Sequence, residues 1–144
     1  MIEKDTIRLL RECDAGVKMG VESINDVIDY TGNQKMRDSL VECKNIHIGL
    51  QKEIDSELLR YGDDGKKPNP IASGMSKVKT EAMLIFNESD NTIADLMTDG
   101  CNMGVKSLYR YLHQYQAADE RSKDIAKRLI GVEERLRTDM HEFL

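Results

Sequence analysis

Three histidines, three cysteines and an excess of carboxylates are the groups in this 144-residue chain that could do chemistry. Their spacing decides which chemistry is open to them. Of the histidines, only His47 falls on an apolar heptad seam: positions 36, 40, 43, 47, 50 and 54 read Met, Leu, Cys, His, Leu, Ile. Asp14 interrupts a second seam in the same way, where positions 7, 10, 14, 17, 21, 24 and 28 read Ile, Leu, Asp, Val, Val, Ile, Ile. Alternating steps of three and four residues keep each set on one helix face, so both polar residues are expected in a core. A lone carboxylate there would be costly, and a partner is expected. If Thr31-Gly32-Asn33 turns the two segments into an antiparallel hairpin, Asp14 lies 18 residues before Gly32 and His47 lies 15 after it. At ~1.5 Å per residue the mismatch is about 4.5 Å, so the two side chains are expected at one level. They could form a mutually satisfied core polar pair. They could instead hold one iron, manganese or zinc ion, with Thr98 or Glu42 nearby. Acid–base catalysis has less support, because no second titratable pair faces them.

The other reactive groups have simpler readings. Cys43 lies on the second seam, Cys13 flanks the first, and Cys101 repeats the position of Val17. With no Cys-x-x-Cys and no basic cluster to stabilise a thiolate, all three are expected as reduced core residues of a cytoplasmic protein. No Gly-x-Gly-x-x-Gly or P-loop pattern supports a nucleotide cofactor. The net charge of −5 argues against a nucleic-acid surface, which needs clustered Lys and Arg. The run from Tyr109 to Tyr115 mixes aromatic, basic and polar residues. In it Tyr111 and Leu112 are expected to pack inward, while Tyr109, His113 and Tyr115 cover the helix end or a subunit contact. The Glu133-Glu134-Arg135 run is expected to be a solvated face with local ion pairs. No apolar run approaches the ~20 residues of a membrane span, and the first residues lack a signal peptide's apolar stretch.

These residues need helices to position them. A chain that is 33% charged and 40% hydrophobic, with Pro68 and Pro70 its only prolines, favours an all-α fold. Asp5 can cap a first helix running to about Tyr30, and Gly32 offers a C-terminal glycine before the cap residue Asn33. A second helix follows from Gln34 to Arg60, then a polar loop over Gly62 to Pro70. A short helix starting at Asn69-Pro70 or Ser73 and ending near Phe86 carries Met75, Val78, Ala82 and Ile85 on one stripe. Asn87 to Asp90 breaks the chain before a helix to about Tyr115, and a turn over Gln116 to Asp119 leads into a last helix reaching nearly to Phe143. That helix carries Ile125, Leu129, Val132, Leu136 and Met140. Gly16-x-x-Met19-Gly20-Val21-x-Ser23 recurs 84 residues later as Gly100-x-x-Met103-Gly104-Val105-x-Ser107. The repeat predicts two related helical hairpins, with Met19 and Met103 filling the core.

Two antiparallel pairs joined by a long crossover resemble the ferritin-like four-helix bundle. More specifically, the chain is similar to an uncharacterised bacterial family of ferritin-like domains. The segments that carry the likeness are Asp14-Ala15-Gly16, Leu58-Leu59-Arg60-Tyr61-Gly62, Ser73-Gly74-Met75, Thr98-Asp99-Gly100 and His141, and it covers nearly the whole chain. It implies a ferritin-like antiparallel four-helix bundle over residues 1–144, with an extra short crossover helix between the second and third long helices. Di-iron sites of that fold take a carboxylate from each of two helices and a Glu-x-x-His from each of the other two. Here Lys44 stands three before His47 and Thr138 three before His141, while Thr98 stands where the repeat would place Asp14's counterpart. His141 also lies off the apolar stripe of the last helix. The expectation is therefore a cytoplasmic bundle with no intact di-iron site, no catalytic residue and no cofactor. It would act through protein association, as a homodimer or with an unidentified protein partner, and not on nucleic acid or membrane. The alternative is a ferritin-like metal-binding or oxidoreductase protein with a reduced site at Asp14 and His47.

Overall fold

Capping chemistry sets where the helices begin. The computed structural model describes residues 2–68 and 89–144, and places four helices there: α1 (Ile2–Ile28), α2 (Gln34–Arg60), α3 (Asp90–Gln114) and α4 (Glu120–Met140), with a 3-10 turn over His141–Phe143. Asn33, Ser89 and Asp119 each accept a hydrogen bond from the backbone N–H three residues on, the standard way to satisfy a first-turn donor. Asp5 does not cap α1, which starts earlier; its carboxylate accepts from the Ala117 backbone N–H at 3.1 Å and ties α1 to the α3–α4 turn. Gly62 ends α2 with φ +64, and the Asp63 N–H returns to the Leu58 carbonyl at 3.1 Å, a glycine-terminated closure that a side chain at Gly62 would strain. Gly32 does not play that part, for it lacks a positive φ; its N–H bonds Asp90 at the start of α3 instead. The expected helix near Ser73 to Phe86 lies outside the described residues.

Helix directions follow from these ties. Gly32 meets Asp90, so the α1–α2 turn and the start of α3 share one end of the bundle. The α3–α4 turn meets Asp5 and Thr6 of α1 and, through Asp119, Tyr61 after α2, at the opposite end. Thus α1 and α4 run one way and α2 and α3 the other, and α2 ends at the opposite end from the start of α3. Antiparallel α2 and α4 are laced by Glu42–Arg135, Glu53–Arg128 and Glu57–Arg121, and Lys35 pairs with Glu142 in the 3-10 turn just beyond α4. The exposed pairs among them contribute at most ~1 kcal/mol each and fix register more than they stabilise, whereas Glu57 is buried where it meets Arg121.

Each helix contributes a stripe to a core that is split in two. One cluster holds Leu9, Leu10, Cys13 and Val17 with Leu50, Ile54, Leu58, Val105, Leu108, Ile125, Ala126 and Leu129. The other holds Ile24, Val27, Met36, Leu40, Cys43, Ile93, Met97, Cys101, Leu136 and Met140. The α2 seam is buried as the spacing predicts. On α1 the seam passes instead through Thr6, Leu10, Cys13, Val17, Gly20, Ile24 and Val27, leaving Ile7, Val21 and Ile28 half-buried beside it. The expected core place of the repeat methionines is corrected: Met103 is 70% exposed and Met19 half-buried, because both point away from the glycine face that packs. Tyr111, Leu112 and Tyr115 pack on the first cluster, the two tyrosine rings stacked at 6.4 Å, and Tyr109 is exposed.

Candidate functional site

Between the two apolar clusters, every helix presents something other than a hydrophobic side chain: Gly20 on α1, His47 on α2, Gly104 on α3 and Glu133 on α4. The glycines make room for the other two. A Cβ at Gly20 would stand 2.6 Å from His47 Nε2, and one at Gly104 would stand 3.4 Å from Glu133 Oε2. His47 is 0% exposed and Glu133 13%. Their side chains meet at 2.9 Å, His47 Nε2 to Glu133 Oε1, across 86 residues of chain.

The other ring nitrogen decides the protonation state. His47 Nδ1 lies 2.8 Å from the Cys43 carbonyl oxygen, which can only accept, so Nδ1 carries a proton. Nε2 faces a carboxylate and donates to it as well, which makes the ring an imidazolium. Burial works against that charge, but the hydrogen bonds to Cys43 and Glu133 and the charge of Glu133 outweigh it, and the pKa is pushed up to about 10. Cys43 Sγ lies 3.6 Å from the same ring. Burial, with the charge and hydrogen bond of Glu133, also raises the Cys101 thiol above its usual range and keeps it protonated. Burial beside Glu12 and Asp14 pushes Cys13 up to about 12. Neither Cys13 nor Cys101 is a thiolate nucleophile at neutral pH.

Asp14 belongs to a separate centre. It is buried, as its seam position suggests, but it does not meet His47. Lys18 Nζ donates to Oδ2 at 2.8 Å, Gln51 Nε2 to Oδ1 at 2.5 Å, and the backbone N–H of Lys66 to Oδ2 at 2.8 Å. The last of these bonds docks the segment that follows α2 onto α1. Gly65 adopts φ +86 there, and any side chain on it would collide with the Asp14 carboxylate. Lys66 Nζ adds an ion pair to Glu12 at 2.5 Å. Asp14 is thus the anchor of the chain leaving α2.

The expected Asp14–His47 pair is therefore corrected. Their seam positions bury both, but they do not share a level: Asp14 meets Gln51 on α2, while His47 packs against Gly20, six residues beyond Asp14 on α1. Nor do the suggested companions join them. Glu42 is at the surface with Arg135, and the Thr98 hydroxyl is buried without a hydrogen-bond partner. Glu133, expected on a solvated face, is turned inward instead. A signal for it was present: Ser122, Ala126, Leu129, Glu133, Leu136 and Met140 follow the same four-three spacing as the α2 seam. Gln51 and the Lys66 backbone left no comparable signal.

The donor set does not fit a di-iron centre or a single metal shared by Asp14 and His47. His47 is engaged by the Cys43 carbonyl and Glu133, Asp14 by Lys18, Gln51 and the Lys66 backbone N–H, and the two share no partner through which one ion could bridge them. Among the described residues no group of three or more His, Cys, Asp or Glu side chains is arranged to hold a metal ion. No helix among them is long and apolar enough to cross a membrane. Comparison with protein-family models, with curated proteins and with solved structures finds no match. The described residues form a four-helix all-α bundle.

Proposed function

We propose that this chain is a cytoplasmic, ferritin-like helical bundle that works by protein association, as a homodimer, without a di-iron centre. The up-down-down-up order of its helices supports the ferritin-like part of the reading, because that order is what a long crossover between two hairpins produces. The observation that carries the functional part is the full commitment of its buried ionisable groups. Both nitrogens of His47 and both oxygens of Asp14 are used to join helices and a loop, which is architecture and not acid–base or ligand chemistry. What the bundle leaves available is surface, including exposed Val41, Ile48, Leu59, Met103 and Tyr109.

Two measurements test this. Sedimentation of the purified chain over a concentration series is expected to resolve a reversible dimer; a monomer at every concentration would sink the self-association. Metal analysis of protein purified without chelator is expected to find well under one iron, manganese or zinc per chain. Stoichiometric metal that is lost in His47→Leu would restore the alternative, a metal-binding or oxidoreductase protein with His47 and Asp14 as ligands.

A further inference from the structure

The outward face of α2 reads as its own complement when reversed, and the geometry points to it as the contact between two copies of this chain, paired antiparallel about Asn45. The inference rests on the association reading above and names its surface. Val41 and Ile48 are each 40% exposed and one heptad apart, so they share that face. Asp38, Val41, Glu42, Asn45 and Ile46 line a shallow depression on it.

Asn45 is the centre of a charge-reversed pattern, with Asp38 seven residues before it and Lys52 seven after. A two-fold axis through Asn45 places residues at equal distances before and after it beside one another in the two copies. Asp38 then meets Lys52 of the second copy, and the symmetry makes that pair twice. Val41 meets Gly49, where nothing stands within 4 Å of the place a Cβ would occupy, so the valine has room to seat. Asn45 meets Asn45, and two facing amides can exchange hydrogen bonds and fix the register. A parallel pairing would set Asp38 against Asp38 and Lys52 against Lys52, which repel. Glu42 meets Ile48 of the second copy, and its aliphatic stem can lie against the isoleucine while its carboxylate stays with Arg135; Glu53 stays with Arg128. Lys52 has no ion-pair partner among the described residues, and Asp38 holds only Gln34, four residues before it, at 2.7 Å. The exposed apolar area is small, so the dimer is expected to be concentration-dependent and salt-sensitive.

The test is sedimentation velocity on the full chain and four variants whose changed residues are all exposed, with circular dichroism to verify that each stays helical. Val41→Asp is expected to leave a monomer at concentrations where the unchanged chain dimerises. Asp38→Lys and Lys52→Asp are each expected to weaken the dimer about tenfold, and the two together to restore it. Single variants that weaken without rescue in the double swap would overturn the antiparallel pairing about Asn45. A dimer equally tight in every variant would overturn this surface and leave self-association standing. A chain that is monomeric throughout would overturn both.

Discussion

Gly20 and Gly104 occupy the same place in an internal repeat, yet they frame unequal partners. At Gly20 an added Cβ would stand 2.6 Å from a fully buried imidazole ring; at Gly104 it would stand 3.4 Å from the end of a carboxylate side chain that still reaches solvent. The repeat therefore supplies two gaps in the middle of the bundle and no chemistry. The chemistry comes from the helix that follows each copy, which puts a cation in one gap and an anion beside the other. The first gap is full and the second has slack, so the two hairpins should respond differently to the same change.

The largest effect tests whether the pair is a unit. His47→Leu leaves Glu133 facing the core without its cation, and is expected to lower unfolding free energy by about 3–5 kcal/mol in denaturant titration. Adding Glu133→Leu should recover most of that loss, since well-packed apolar residues often replace a buried ion pair at little cost. A double variant as unstable as the single would show that the two charges act separately. Next comes Gly20→Ala. Its gain in helix propensity is outweighed by overpacking against the His47 ring, for a net loss of about 1–3 kcal/mol.

The pH dependence is a smaller effect per pH unit. The His47 pKa rises from its ordinary value of 6.5 to about 10 on folding. Its contribution is fully present below pH 6.5 and is lost as pH rises towards 10, with a slope of at most about 1.4 kcal/mol per pH unit. Above about pH 9 the buried Cys13 and Cys101 thiols add a loss of the same sign, so the clean comparison lies between pH 7 and pH 9. There, His47→Gln should flatten the fall in melting temperature seen in the unchanged chain. The smallest change is Gly104→Ala, expected to be neutral or to stabilise by up to ~1 kcal/mol, because the carboxylate can give way. Equal losses at Gly20 and Gly104 would erase the difference between the hairpins.

Much of this fold was legible because helix seams are local. The α2 seam from Met36 to Ile54 was read residue for residue, and its helix from Gln34 to Arg60. The α1 seam was read one position late at alternate steps, because Ile7, Val21 and Ile28 carry apolar side chains while the packed positions Thr6, Cys13 and Gly20 are small or polar. Hydropathy does not register a glycine that packs by being absent. The same bias favoured Val132 over Glu133. The site was less legible still, since what satisfies Asp14 includes a backbone N–H 52 residues away and what satisfies His47 lies on another hairpin. Such partners are set by the register of helices against one another, which spacing along one helix does not contain.

The divided core bears on how the bundle opens. Each apolar cluster draws on all four helices, and a charged layer with two glycines separates them, so the two ends are coupled through a thin waist. Amides towards the Asn33 and Ser89 end, where Met36, Met97 and Met140 pack unbranched, flexible side chains, should exchange with solvent as one group at lower free energy than those around Leu50, Leu108 and Leu129. Native-state hydrogen exchange would then resolve two sets of protection factors in a bundle expected to melt, by bulk probes, as one.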